Sequence, residues 1–323
     1  MHERSPAVGP SVLSAIGRTP LVELSRFTRG LEGRLLAKLE YLNPGGSKKD
    51  RIALRMIEDA EASGVLAPGQ AVVELTSGNT ETGLAIVCAV TAHPFVAVMS
   101  AGNSVERATM MRALGAEVVL VDQRPGSRDG HVTGDDLALV EEAASRIASE
   151  RGAFRADQFR LGGNASAHQD GTAPEIWEQS EGRIDAFCEF VGTGGTFAGI
   201  ARFLKTQDVA IACYAIEPEG AAALAGEPVE EPGHRIQGGG YAMTSLPVLD
   251  PELVDGYLQV RDVDAIEASR RLARTEGIFA GYSGGACVAA AETLLRGRHA
   301  GGTVVVVVAD SGMKYLSTDL WEG

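Results

Sequence analysis

Residues 303–310 read TVVVVVAD, five consecutive valines in a chain of 323 residues. A β-branched run this short and apolar suits a strand buried on both faces, and such strands belong to parallel sheets with helices on each side. Similar runs recur as LLAKLE (35–40), AVVEL (71–75), FVAVM (95–99), EVVLVD (117–122), DAFCEFV (185–191) and CYAIE (213–217). Between and around them lie amphipathic stretches at 47–63, 80–92, 104–114, 134–150, 167–180, 195–205, 262–276 and 284–296. Apolar strands alternating with helices predict an α/β fold of doubly wound, mostly parallel sheets. A chain of 323 residues exceeds what one core usually organises, so two domains are expected. The Gly/Pro-bearing polar stretches 123–136 and 226–240 read as surface loops.

Charge and cysteine usage narrow the class. The net charge is −14 and no basic run is longer than two residues, which argues against nucleic acid or an anionic membrane as the partner. Cys88, Cys188, Cys213 and Cys287 are scattered without a CxxC pair, and the apolar settings of Cys88 and Cys188 read as those of reduced core thiols. The N-terminal MHERSPAVGP has no apolar signal core, and the Val304–Val308 run is too short to span a bilayer. The cytoplasm is the expected compartment. The six histidines form no HExxH and no paired spacing, so no metal site is expected.

Three junctions carry chemistry. YLNPGGSKKDR (41–51) is a tight turn running into a helix, with Lys48 and Lys49 at its start. Read locally, both are solvated first-turn residues. A helix N-terminus disfavours a cation, however, which suits an amine that must react uncharged. ELTSGNTETGLA (74–85) ends a strand, then places Thr76, Ser77, Asn79 and Thr80 around Gly78 before the next helix. One cap needs one such side chain; four around a glycine make an anion cup. EFVGTGGTFAG (189–199) repeats the pattern with Gly192, Thr193, Gly194, Gly195 and Thr196. The GxGxxG pattern fails because Phe197 occupies the third glycine position, and no Gly-Lys pair offers a Walker loop, which leaves a single-phosphate cradle. GYSGG (281–285) fits a nucleophile elbow, but only His299 follows Ser283 and the sole carboxylate between them, Glu292, falls inside an apparent helix, so a hydrolase is set aside.

Together these stretches resemble one family. NPGGSKKDR is similar to the lysine motif of the cysteine synthase and cystathionine β-synthase family of pyridoxal-phosphate enzymes, fold type II. TSGNT resembles its substrate-carboxylate loop and GTGGT its phosphate loop. The likeness continues through Gln158-Phe159, the His168-to-Trp177 stretch, EGIFAG (276–281) and DSGMKYLST (310–318), and covers nearly the whole chain. The resemblance implies a tryptophan-synthase-β-like architecture. Residues 42–152 are expected as an inserted small domain, with 1–41 and 153–323 forming the large one. It also implies that Lys49, immediately before Asp50-Arg51, carries the cofactor, pyridoxal 5'-phosphate. Lys48, at the variable position, is expected to face solvent. Asn79 would contact the cofactor's ring oxygen, residues 192–196 its phosphate, and Ser311 its pyridine nitrogen. Thr76, Ser77, Thr80 and Gln158 would hold the substrate carboxylate.

The implied reaction is β-replacement on O-acetylserine or O-phosphoserine, with sulfide giving L-cysteine. A serine opposite the ring nitrogen leaves that nitrogen largely unprotonated, which favours prompt loss of a β leaving group. Other products are β-substituted alanines or cystathionine, made with another nucleophile. A weakly active homologue partnering serine acetyltransferase through that enzyme's C-terminal tail is a further reading. A homodimer is expected. One departure stands out: Glu81 occupies a position where the family has glycine. Turned outward it would do little; turned inward it would oppose an anionic substrate.

Overall fold

The computed structural model describes residues 8–75, 78–102, 105–124 and 134–322. Among them, in chain order, are the strands β1 (Leu21–Glu23), β2 (Arg34–Leu39), β3 (Val72–Leu75), β4 (Phe95–Ser100), β5 (Glu117–Val121), β6 (Phe154–Arg155), β7 (Ala186–Phe190), β8 (Ala212–Pro218), β9 (Gly256–Val260) and β10 (Thr303–Val308). The helices are α1 (Lys49–Ala62), α2 (Asn79–Thr91), α3 (Val105–Ala113), α4 (Gly134–Arg151), α5 (Gly163–Ala167), α6 (Ala173–Gln179), α7 (Gly195–Gln207), α8 (Asp262–Glu276) and α9 (Tyr282–Arg296). A π turn, His168–Thr172, joins α5 to α6.

The chain divides into two compact units. The first takes residues up to Arg18, Asn43–Gly45 and Lys49–Asp157; the second takes Thr19–Leu42, Gly46–Lys48 and Gln158 onward. This grouping differs from the 1–41 boundary expected of the large domain. Residues up to Arg18 sit with the first unit, where the Gly17 N–H donates to Asn43 Oδ1 at 2.8 Å.

In the first unit the strand order is β5-β4-β3-β6, all parallel. Val73, Val96 and Val98 pack against Val140, Ala144, Ile147 and Ala148 of α4. The alternate residues Phe95, Ala97 and Met99 are buried too, so this sheet is covered on both faces.

In the second unit the order is β1-β2-β10-β7-β8-β9, parallel except for β1. The valine run explains why. Val304, Val306 and Val308 face one apolar cluster with α8 and α9, while Val305 and Val307 face another with α6 and α7. Strand period two thus splits one continuous apolar run between two layers. Each fully buried valine contributes on the order of 1.5–3 kcal/mol. No helix among the described residues is long and apolar enough to cross a membrane.

Candidate active site

In the first unit, two strand- or turn-to-helix junctions meet. The Gly45 N–H donates to the Asp50 carboxylate, which also complements the dipole at the start of α1. Lys49 is thereby the first residue of α1, half-buried. Asn79, half-buried, and Thr80, buried, open α2. The residue before them, Gly78, supplies no side-chain cap. A Cβ on Gly83 would lie 2.9 Å from the Lys49 carbonyl oxygen and 3.0 Å from Ala53 Cβ. The bare backbone of α2 therefore passes directly over the start of α1. Thr76 and Ser77, expected in the carboxylate cup, lie outside the described residues.

Glu81 is fully buried in the first turn of α2, so it does not point outward to solvent. It adds its charge to that around Glu74, the buried acid on β3. Burial pushes the Glu74 carboxyl well above the ordinary carboxylate range, Arg155 opposes the push, and Asp157, Glu141 and Glu81 reinforce it. Arg155 Nη2 stands 3.7 Å from Glu74 Oε2 and 3.0 Å from Glu141 Oε2.

In the second unit, β7 runs through Val191 into Gly192–Thr196 and then α7. Gly194 takes φ 90°, a left-handed angle that glycine adopts freely, and gives α7 no side-chain cap. The first turn of α7 therefore keeps N–H donors that no side chain satisfies. The other glycines are required for a different reason than ligand approach. A Cβ on Gly192 would lie 2.6 Å from the Gly238 carbonyl oxygen, and one on Gly195 would lie 2.1 Å from Asn164 Oδ1. Protein packs against the loop from behind, and that packing excludes side chains there. Thr193 and Thr196 are buried, and Thr196 Oγ1 lies 3.2 Å from His168 Nε2 on the π turn.

Gln158 is nearly buried, and its backbone oxygen accepts from Asn164 Nδ2 at 2.6 Å. Ser311 follows β10. Its N–H donates to Gly46 O at 3.1 Å, and its Oγ accepts from the Met313 N–H at 3.2 Å. Its hydroxyl hydrogen stays available to an acceptor. The preceding Asp310 is turned away, with Oδ2 accepting from Tyr315 O–H and Oδ1 lying 2.2 Å from where a Gly281 Cβ would stand.

Lys48 corrects the expectation that it faces solvent. Its Nζ pairs with the buried carboxylate of Glu189 on β7, and its N–H donates to Ala309 O at 2.8 Å. Glu189 Oε2 in turn accepts from Cys287 Sγ at 3.8 Å. Cys188 and Cys287 are both held well above the ordinary thiol range, chiefly by burial and then by Glu189. Among the described residues, no group of three His, Cys, Asp or Glu is placed to hold a metal ion.

Sequence reading missed Asn164, Gly83 and Glu189. Gly83 left a trace, since a mid-helix glycine costs about 1 kcal/mol and wants a reason. Glu189, a lone acid in an apolar run, left another. Asn164 left none. The elbow reading stays set aside: His299 Nε2 lies 2.9 Å from the Tyr214 hydroxyl and serves no serine.

The second unit thus holds an uncapped helix start behind a glycine turn and a serine with a hydrogen to give, and the first holds a lysine that opens a helix. The family model described as pyridoxal-phosphate dependent enzyme matches residues 12–310, and the chain belongs to that family. Within it, the chain is 41% identical over 314 residues to the cysteine synthase of Staphylococcus aureus, covering 96% of each. It is also 41% identical over 315 residues to the O-ureido-L-serine synthase of Streptomyces lavendulae, covering 97% of this chain and 93% of that one. The crystal structure of O-acetyl serine sulfhydrylase isoform 3 from Entamoeba histolytica matches with a TM-score of 0.90 and 33% identity, covering 100% of this chain and 95% of that one. The chain is thus a pyridoxal-phosphate-dependent enzyme of fold type II.

Proposed function

We propose that this enzyme performs β-replacement on an O-activated L-serine, O-acetylserine or O-phosphoserine, with sulfide as nucleophile, and releases L-cysteine. The relatives support it. The observation that carries it is Ser311, a neutral hydroxyl whose oxygen accepts from the Met313 N–H and whose own hydrogen is unspent. It can give that hydrogen to a ring nitrogen as a hydrogen bond, but a neutral hydroxyl is too weak an acid to protonate it. Bound pyridoxal phosphate supplies the electron-withdrawing system that lets an amino acid lose its α proton and a β substituent. A hydroxyl partner for the ring nitrogen tilts that chemistry toward loss of the β group.

The chain's own residues supply the rest. Lys49 Nζ would hold the cofactor and, as a free amine, would take the α proton as general base and later return it. Asn79 would position the cofactor's ring oxygen. The N–H groups of Gly192–Thr196 and the Thr193 and Thr196 hydroxyls bind its phosphate. Thr76, Ser77, Thr80 and Gln158 hold the substrate carboxylate. The first unit corresponds to the small domain and the second to the large one. The four described cysteines are free and buried, which suits a reducing compartment, and we place the enzyme in the cytoplasm as a homodimer. Serine acetyltransferase, through its C-terminal tail, is the partner protein this family likeness suggests.

A nucleophile other than sulfide is a second reading, favoured by the equal 41% identity to the O-ureido-L-serine synthase. One experiment addresses both. The holoenzyme is mixed with each serine ester in turn, the visible spectrum is followed, and sulfide, thiosulfate or amines are then added. Sulfide should restore the resting spectrum with release of cysteine; restoration by an amine alone favours the second reading. Borohydride reduction and peptide mapping should place the cofactor adduct on Lys49, and an adduct on Lys48 would sink that assignment.

A further inference from the structure

Asn164 sits on α5, fully buried. Its amide nitrogen donates to the Gln158 carbonyl oxygen at 2.6 Å and to Thr193 Oγ1 at 2.8 Å. The orientation of this amide is fixed, because the reverse flip would set oxygen against the Gln158 carbonyl, which can only accept. Both amide hydrogens are therefore spent. Its oxygen, Oδ1, is sealed from solvent against Gly195 and has no hydrogen-bond partner among the described residues. A buried orphan acceptor is costly to keep, and that cost calls for a reason.

The reason lies in what the bond does to Thr193. A threonine hydroxyl has one hydrogen and can accept as well as donate. Since an amide N–H can only donate, Thr193 Oγ1 must accept from Asn164, and its own hydrogen must go elsewhere. Thr193 has no other partner among the described residues. Its hydrogen is left for a group on the open side of the loop, where the uncapped start of α7 already presents N–H donors. Thr196 is not fixed in this way, because its neighbour His168 can give or take a hydrogen depending on the tautomer.

We propose that Asn164 is a positioning residue that sets the hydrogen-bond polarity of the phosphate loop, forcing Thr193 to donate to an anion. By holding the Gln158 backbone with its other hydrogen, it ties this loop to the residue that reads the substrate carboxylate. The inference rests on the reading of residues 192–196 as the phosphate loop.

The test compares ligands that differ only in the phosphate. Apoprotein of the wild type, Asn164→Leu, Asn164→Asp, Thr193→Val, Thr193→Ser and the Asn164→Leu/Thr193→Val pair is titrated with pyridoxal phosphate, inorganic phosphate and pyridoxal. Loss of one hydrogen bond to a charged group corresponds to roughly 10- to 100-fold in affinity. Thr193→Val and Asn164→Leu should each weaken pyridoxal phosphate and phosphate by about that factor. The double variant should be no weaker than the worse single. Thr193→Ser should bind within about threefold of wild type, the spread expected for a conservative change. Asn164→Asp, which accepts the Thr193 hydrogen, should be the weakest if it folds; the other variants decide the matter if it does not. Pyridoxal binding should stay unchanged throughout. Wild-type-like phosphate binding by Asn164→Leu, additive losses in the pair, or equal loss of pyridoxal affinity would overturn the proposal alone. A wild-type apoprotein that takes up neither pyridoxal phosphate nor phosphate overturns the phosphate-loop reading, and this proposal with it.

Discussion

Replacing Lys48 with methionine tests the ion pair that runs from the lysine motif to β7. Lys48 and Glu189 side chains retain only 12% and 2% of their exposure. Methionine keeps the stem but removes the Lys48 charge from beside the buried Glu189 carboxylate, which also accepts from Cys287 Sγ at 3.8 Å. Breaking a buried pair from one side costs about 3–5 kcal/mol, because the surviving charge keeps its desolvation penalty. The residual access around Lys48 places the value toward the lower end, about 3 kcal/mol. For a domain of this size each kcal/mol lowers Tm by roughly 2–4 °C, so the transition of the second unit should fall by about 6–12 °C. Glu189→Gln alone should cost less, since Lys48 can reach toward solvent. The double variant should recover at least half of the Lys48→Met loss, because the Glu189 charge is removed together with that of Lys48. Calorimetry of the four holoenzymes at pH 7 reads this directly. A Lys48→Met transition within about 1 °C of wild type, well inside the smallest shift expected, would show that the pair contributes nothing and that Lys48 behaves as a solvated residue.

Two further outcomes concern the acids of the first unit. Glu74 has its folded pKa raised, so the folded state holds a proton that the unfolded state gives up; its stabilising effect is present below the ordinary value of 4.5 and is lost as pH rises toward the folded value. Glu74→Gln should therefore be more stable than wild type at pH 8, by a margin that grows from pH 5 upward at no more than about 1.4 kcal/mol per pH unit, and a pH-independent difference in urea midpoints would refute this. Glu81→Gly should leave the visible absorbance of bound cofactor unchanged and lower the apparent Kd for O-acetylserine or O-phosphoserine by up to about two orders of magnitude, the equivalent of roughly 3 kcal/mol of like-charge repulsion at about 6 Å. Titrations that give equal constants for both esters in wild type and variant would show that Glu81 is not felt by the substrate.

The valine run, the alternating apolar segments and the glycine-bearing junctions determined the α/β class and the order of the long elements from sequence alone, because strand and helix periods are local properties. The short strands escaped. β1 has three residues and β6 two, and β9 is a half-exposed edge, GYLQV, too mixed to stand out. The loop motifs also announced which residues belong together in a site, because glycine, hydroxyl and amine clusters are unusual at helix starts. Sequence could not say what lies behind them. Lys48 looked like a surface residue until β7 brought Glu189 to it from 141 positions away. Asn164 carries no local signal, since its two partners, the Gln158 carbonyl and Thr193, are set by how α5 packs on the loop. Gly192 and Gly195 look like concessions to a ligand, yet the structure shows each excluded from bearing a side chain by protein atoms. Buried polar groups need partners with fixed geometry, and only the packed chain decides which distant residue supplies the partner.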